Sequence, residues 1–152
     1  MQTSHLKKFD RSFIHLLRKI SLPLSRFAIF LIYFWFGILK VVGASPASPM
    51  VLSLLSKTMP FMSPGLFLMM FGLFEVFIGI AFLVPGLERV AILLLCIHLI
   101  TTILPLYFLP ELAWSSPFVP TLEGQYIIKN ILIAALGVGI ASHLHPIYQN
   151  RS

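Results

Sequence analysis

Four apolar runs, each about 20 residues long, constrain this chain more than any other feature of its sequence. They cover residues 27–44, 65–84, 90–109 and 126–142. A helix of about 20 apolar residues crosses the ~30 Å hydrocarbon core of a bilayer. Pro and Ser are concentrated between the runs, together with Gly86 and Gly124, and residues of these types end helices. The sequence therefore predicts an all-α, polytopic membrane protein with a bundle of four transmembrane helices.

The composition agrees with a membrane location. Of the 152 residues, 58% are hydrophobic and only 11% are charged, whereas soluble domains contain about 25% charged residues. Too few charged side chains are present to cover a soluble core, which excludes an ordinary soluble enzyme. The one cysteine, Cys96, excludes an intramolecular disulfide and a CxxC motif, and its apolar neighbours predict a buried residue.

The distribution of basic residues predicts the orientation and three parts of the chain. Six of the 11 Lys and Arg residues precede the first apolar run, and the interval 110–125 contains none. Since Lys and Arg are enriched in cytoplasmic segments, both termini are expected in the cytoplasm. The parts are a basic tail (1–25), the transmembrane domain (26–143) and a cytoplasmic C-terminal tail (144–152).

The basic tail has two faces. Its apolar residues recur every three or four positions before Pro23, and its basic residues fall on the opposite arc. This pattern predicts an amphipathic helix on the membrane surface, with anionic lipid rather than nucleic acid as its partner. An ordinary topology signal without a stable helix is the alternative. The apolar residues are Leu6, Phe9, Phe13, Leu16, Leu17 and Ile20, and the basic ones are Lys7, Lys8, Arg11, Arg18 and Lys19.

The start of the chain also resembles a secretory signal. Small residues precede Ser45, as at a cleavage site. However, 26 residues precede the first apolar run, and Lys40 interrupts that run near its end. Both features favour an uncleaved first helix, and a mature protein that begins at Ser45 would contradict it.

Ionisable residues inside the apolar runs are the candidates for function. One such charge at the bilayer centre costs about 2.5–3.5 kcal/mol, so it faces a partner or a cavity. Lys40 and Lys129 are cations and Glu75 is an anion, so one positive charge is left that needs a ligand. This imbalance predicts an outward-opening pocket for a polar headgroup or a proton. The alternative is that Glu75 pairs with a lysine only to hold the bundle together. The candidate pocket residues are Lys40, Glu75, His98, Thr101, Lys129 and Asn130.

Small residues on the same helix faces predict close helix packing, at Gly37, Gly72, Gly79 and Gly137. Pro105 is expected to bend or end the third helix near Thr101. Residues 50–59 are too few to span and predict a helix at the outer face. No metal site is expected, since His98 is isolated and His143 and His145 fit interfacial residues.

Four short motifs occur in an order that resembles a known family. They are Phe34-Trp35-Phe36-Gly37-Ile38-Leu39-Lys40, Gly72-Leu73-Phe74-Glu75 with Gly79, the Pro85-Gly86 turn with Arg89, and Glu123-Gly124-Gln125-Tyr126-Ile127-Ile128-Lys129-Asn130. Over about residues 26–141 the chain resembles the DoxX-like superfamily of small four-helix bacterial membrane proteins, which includes DoxX and DoxD subunits.

The resemblance implies an inner-membrane protein that is an accessory or quinone-interacting subunit of a redox or oxidative-stress system. Its expected partners are a bound quinone and a redox partner subunit, with no covalent cofactor. In that function Lys40, Glu75 and Lys129 bind or protonate the quinone headgroup. Two alternatives stay open. One is a small proton-coupled transporter or channel in which Glu75 is the coupling carboxylate of a homo-oligomer, and the other is a non-catalytic scaffold whose tail recruits a soluble partner.

Overall fold

Helices dominate the part of the chain that the structure describes. A computed structural model gives the backbone of residues 2–146 and the side chains of residues 6–146. Its elements are α1 (Gln2–Val41), α2 (Ser48–Thr58), α3 (Pro64–Leu83), α4 (Glu88–Phe108), α5 (Pro110–Ala113), β1 (Trp114–Ser116), β2 (Val119–Pro120) and α6 (Leu122–Ala141). Four of these helices, α1, α3, α4 and α6, are long and apolar enough to cross a membrane. The chain thus has the all-α fold and the four candidate spans that the apolar runs predict.

Helices α1 and α3 pack antiparallel, with their backbones in contact. A Cβ atom on Gly37 would lie 2.7 Å from the Gly72 carbonyl oxygen, and one on Gly72 would lie 2.7 Å from the Gly37 carbonyl oxygen. Further along, a Cβ atom on Gly79 would lie 3.0 Å from the Phe34 amide nitrogen. Only glycine allows two helices to approach so closely. These contacts fix the position of every side chain on α1 relative to α3.

One end of the bundle, here called the terminal end, holds the turn between α3 and α4 and the C-terminal end of α6. Arg26 joins three helices there, because its Nε atom donates to the Phe82 carbonyl oxygen (2.6 Å) and its guanidinium lies 3.1 Å from a Glu88 carboxylate oxygen. Gly86 gives the turn its positive φ of 89°. The buried apolar core fills this half of the bundle and includes Ile29, Ile78, Ala81, Phe82, Ala91, Leu95 and Ile140.

The opposite end, here called the cap end, is covered by α2, α5 and the β1–β2 hairpin. The Nζ atom of Lys57 donates to the Phe108 carbonyl oxygen and to Glu111, both at 3.0 Å, and so ties α2 to the end of α4. The backbone amide of Glu111 and the Lys57 ammonium hold the pKa of the Glu111 carboxyl below its usual range. Trp114 donates from its indole nitrogen to the Leu106 carbonyl oxygen at 3.1 Å. Helix α2 occupies the segment where the sequence predicts an outer-face helix.

Several element boundaries differ from those that the sequence predicts. Helix α1 continues through Pro23, so the basic tail is the first part of α1 and no separate helix precedes the first span. Likewise α4 continues through Pro105 to Phe108. A proline inside a helix removes one hydrogen bond, which neighbouring turns tolerate. Helix α6 begins four residues before Tyr126, because the Thr121 side chain accepts a hydrogen bond from the Gly124 amide.

Two further expectations concern single segments. Cys96 is exposed, which contradicts the expectation of burial. It lies two positions before the buried His98 and therefore points to the opposite side of α4. Of the predicted C-terminal tail, residues 147–152 lie outside the described part of the chain.

Candidate functional site

Four polar side chains meet in the interior of the bundle, and we call them the polar cluster. Tyr33 and Lys40 come from α1, Glu75 from the middle of α3 and His98 from the middle of α4. Their exposed fractions are only 4%, 6%, 6% and 5% in that order. His98 lies ten residues from each end of α4, which is about 15 Å along the helix axis. If α4 spans the bilayer, the polar cluster is therefore near its middle.

Hydrogen bonds connect the polar cluster into one chain. The Nζ atom of Lys40 donates to both carboxylate oxygens of Glu75, at 2.9 and 2.6 Å. The Nε2 atom of His98 lies 3.0 Å from Oε1 of Glu75, and the Tyr33 hydroxyl lies 3.0 Å from Nδ1 of His98. The order Tyr33, His98, Glu75, Lys40 is thus continuous from α1 through α4 and α3 back to α1.

One arrangement of protons satisfies all of these groups with Glu75 ionised. An ionised carboxylate only accepts hydrogen bonds, so Nε2 of His98 carries the hydrogen that it shares with Glu75. In the neutral imidazole the Nδ1 atom is then an acceptor, and Tyr33 donates its hydroxyl hydrogen to it. Every hydrogen bond has a donor and an acceptor when Lys40 is cationic, Glu75 anionic and His98 neutral. In that state the polar cluster has no net charge.

Aromatic rings surround the imidazole and the ammonium. The Phe71 ring stacks on the His98 ring, with centroids 5.2 Å apart and an interplanar angle of 17°. The Phe74 centroid is 6.1 Å from that of His98, and Lys40 Nζ lies 5.6 Å from the Phe71 centroid. These rings exclude water, which strengthens the ion pair but makes an unpaired charge at the same place costly.

The structure brings together three of the predicted pocket residues, Lys40, Glu75 and His98. Lys129 is not among them, because its side chain is exposed on α6 and its Nζ atom lies 5.4 Å from the Tyr126 ring centroid. The second cation that suggested an uncompensated charge is therefore absent from the polar cluster. Lys40 and Glu75 pair with each other. This pairing also agrees with the alternative in which Glu75 and a lysine hold the bundle together.

The remaining predicted residues lie beside the polar cluster. The Thr101 hydroxyl donates to the His98 carbonyl oxygen at 2.7 Å, one turn nearer the cap end. Asn130 donates to the Thr102 hydroxyl at 3.3 Å and links α6 to α4. These three side chains are partly buried. They form a polar region on the cap side, whereas the apolar core closes the terminal side.

Tyr33 and Phe71 belong to the site but are not among the predicted pocket residues. Tyr33 lies seven residues before Lys40 and thus on the same face of α1. Phe71 lies four residues before Glu75, which gives it the same relation on α3. Helical spacing from each charged residue is therefore the signal that would have identified both.

No family model, curated protein or solved structure matches this sequence. Membership of the DoxX-like superfamily therefore stays a prediction from the short motifs. Among the described residues, no group of three or more His, Cys, Asp or Glu side chains is arranged to hold a metal ion.

Proposed function

We propose that this chain is a DoxX-like, quinone-interacting accessory subunit of a redox or oxidative-stress system in the bacterial inner membrane. The observation that carries the proposal is the continuous hydrogen-bonded chain of Tyr33, His98, Glu75 and Lys40, buried where apolar helices would cross the bilayer. Ionisable groups at that depth are costly, and they commonly mark proton or substrate pathways.

The chemistry of a quinone fits such a chain. Reduction of a quinone to a quinol consumes two electrons and two protons, and oxidation of the quinol releases them. In this proposal the partner subunit exchanges the electrons, while the polar cluster exchanges the protons. Glu75 is the centre of the relay, because its carboxylate contacts both Lys40 and His98. The headgroup arrives from the cap side, where Thr101 and Asn130 provide polar contacts.

The family motifs support the same assignment. The aromatic-Gly-x-x-Lys motif contributes Gly37 and Lys40, and the Gly-x-x-Glu motif contributes Gly72 and Glu75. The glycines bring α1 and α3 into contact, and the charged residues pair across that contact. The two motifs thus build one physical unit, a close helix pair with an ion pair inside it.

Mass spectrometry of the protein purified mildly from its native membrane tests the proposal. We expect the wild type and the control Glu123→Gln, whose carboxylate is exposed on α6, to retain quinone and a redox partner. Glu75→Gln should lose the quinone. Because Glu75→Gln leaves Lys40 unpaired, Lys40→Met/Glu75→Leu is included as a variant without buried charge. Wild-type protein without quinone, or a folded double variant that retains it, would contradict the proposal.

A proton-coupled transporter is the second candidate, and one observation favours it. The polar cluster is buried, with the apolar core on its terminal side and the Phe71 ring stacked on His98, as expected of an occluded state that opens to admit a substrate. Proteoliposomes with an internal pH-sensitive dye test this function. A substrate-dependent proton flux that Glu75→Gln abolishes and Glu123→Gln leaves intact would favour transport over quinone binding.

A further inference from the structure

The first part of α1 extends beyond the bundle. Helix α1 has 40 residues, so it is about 60 Å long, roughly twice the hydrocarbon thickness of a bilayer. Arg26 is held at the terminal end by Phe82 and Glu88. Before it, every side chain from Leu6 to Ser21 is exposed. We call Leu6 to Leu24 the N-terminal arm; Leu22 packs against the core of the bundle, and within the described chain no element covers the side chains from Leu6 to Ser21.

The N-terminal arm is strongly amphipathic. At 100° per residue, seven of its apolar side chains fall within an arc of about 100°, and five basic side chains occupy an arc of about 120° on the opposite side. Ile14 and Leu22 lie outside the apolar arc. Phe9 and Phe13 stack on the apolar side, with ring centroids 6.2 Å apart. The apolar side chains and their exposed fractions are Leu6 67%, Phe9 71%, Phe13 50%, Leu16 51%, Leu17 45%, Ile20 39% and Leu24 58%.

A bilayer surface matches both sides of the N-terminal arm. Seven exposed apolar side chains in one stripe would be unfavourable in water, and the membrane that α1 enters is the nearest apolar phase. The arm has five Lys and Arg residues against one acidic residue, Asp10, which complements anionic headgroups. Lys7 and Lys19 stand at the two edges of the basic arc, where their long side chains can reach lipid phosphates while their apolar stems lie towards the apolar side chains.

Pro23 provides the place where the N-terminal arm can turn onto the membrane. Proline has no amide hydrogen, so the Lys19 carbonyl lacks its usual helical donor. Kinks in helices occur predominantly at such positions. We propose that the N-terminal arm binds the anionic lipid surface of the leaflet at the terminal end, and that α1 bends at Pro23 when it does so.

Spin labels on the full chain test this interaction. In a Cys96→Ser background, a nitroxide at Phe13→Cys reports the apolar side and one at His15→Cys reports the basic side. The protein is reconstituted in phosphatidylcholine vesicles with or without phosphatidylglycerol. With the anionic lipid we expect the Phe13 label to collide several-fold less with a water-soluble nickel reagent, and more with oxygen, than the His15 label. Without it, the difference should shrink.

Variants separate lipid binding from other causes. Lys7→Gln/Arg11→Gln/Arg18→Gln should return the Phe13 label to water in anionic vesicles, whereas Lys57→Gln at the cap end should leave it buried. Pro23→Ala should also reduce the burial, and unchanged burial would overturn the role of the bend. Equal water access of both labels in anionic vesicles, or close spin–spin contact between Phe13 labels of two copies, would overturn lipid binding.

Discussion

At the scale of single residues, the ion pair between Lys40 and Glu75 can be tested through the free energy of unfolding of single and double variants. Lys40→Met or Glu75→Leu alone leaves one buried charge without a partner, and we expect each to lower the free energy of unfolding by about 3–5 kcal/mol. The double variant removes both charges and should recover most of that loss, with about 1–3 kcal/mol remaining because the buried Nε2 donor of His98 loses its acceptor. Unfolding of the four proteins in one detergent gives the coupling energy. A double variant as unstable as the sum of the single variants would show that the two charges are independent.

Tyr33 has a smaller effect that can be measured separately. Tyr33→Phe removes the donor to Nδ1 of His98, 3.0 Å away, and leaves a buried acceptor unpaired, which costs about 1–3 kcal/mol. The same substitution at Tyr107, which is 81% exposed, should change the unfolding free energy by less than about 0.5 kcal/mol. Equal effects at the two positions would contradict the hydrogen bond.

The sequence reveals charged members of a site in a membrane helix more readily than the helix faces they occupy. Lys40, Glu75 and His98 are conspicuous because ionisable residues are rare in apolar runs. Lys129 is also an ionisable residue in an apolar run. However, α6 has apolar residues on its exposed faces as well, since Ile131 and Val138 are each 70% exposed. A pattern without a polar side does not specify which residues turn inward, so only the packed structure separates Lys129 from the polar cluster.

At the scale of elements, the contact between α1 and α3 depends on glycine. The new Cβ atom of Gly72→Ala would lie 2.7 Å from the Gly37 carbonyl oxygen, and overpacking of this kind costs about 1–3 kcal/mol. Gly139→Ala is the matched control, since no atom lies within 4 Å of its Cβ position and alanine favours a helix by about 1 kcal/mol. The midpoint temperature of thermal unfolding in detergent should therefore be lower for Gly72→Ala and unchanged or higher for Gly139→Ala. Equal loss in both variants would contradict the close approach.

The sequence predicts the presence of the helices more accurately than the residues at which they begin and end. Hydropathy detects where a helix is apolar, whereas the ends depend on local hydrogen bonds. The Thr121 cap starts α6 within a polar segment, and the missing amide hydrogen of Pro23 does not end α1. The predicted division between a surface helix and a first span therefore corresponds to no break in the described helix, although the amphipathic pattern on its first turns is the predicted one.

The whole molecule is asymmetric between its two ends. The apolar core and the basic N-terminal arm belong to the terminal end, and the polar side chains beside Glu75 lead towards the cap end. If the terminal end is cytoplasmic, the arm meets the anionic leaflet and the polar cluster is reached from outside. The proposed function and the proposed lipid contact therefore both depend on the orientation of the protein in the membrane.

Cysteine labelling in intact cells measures that orientation. In a Cys96→Ser background, Ser116→Cys lies in the hairpin at the cap end and His143→Cys follows α6 at the terminal end, both at exposed positions. The excess of Lys and Arg at the terminal end predicts that this end is cytoplasmic. A membrane-impermeant maleimide applied from the non-cytoplasmic side should therefore label Ser116→Cys at once and His143→Cys only after lysis. The reverse order would move the N-terminal arm away from the cytoplasmic leaflet and would require protons to reach Glu75 from the cytoplasm.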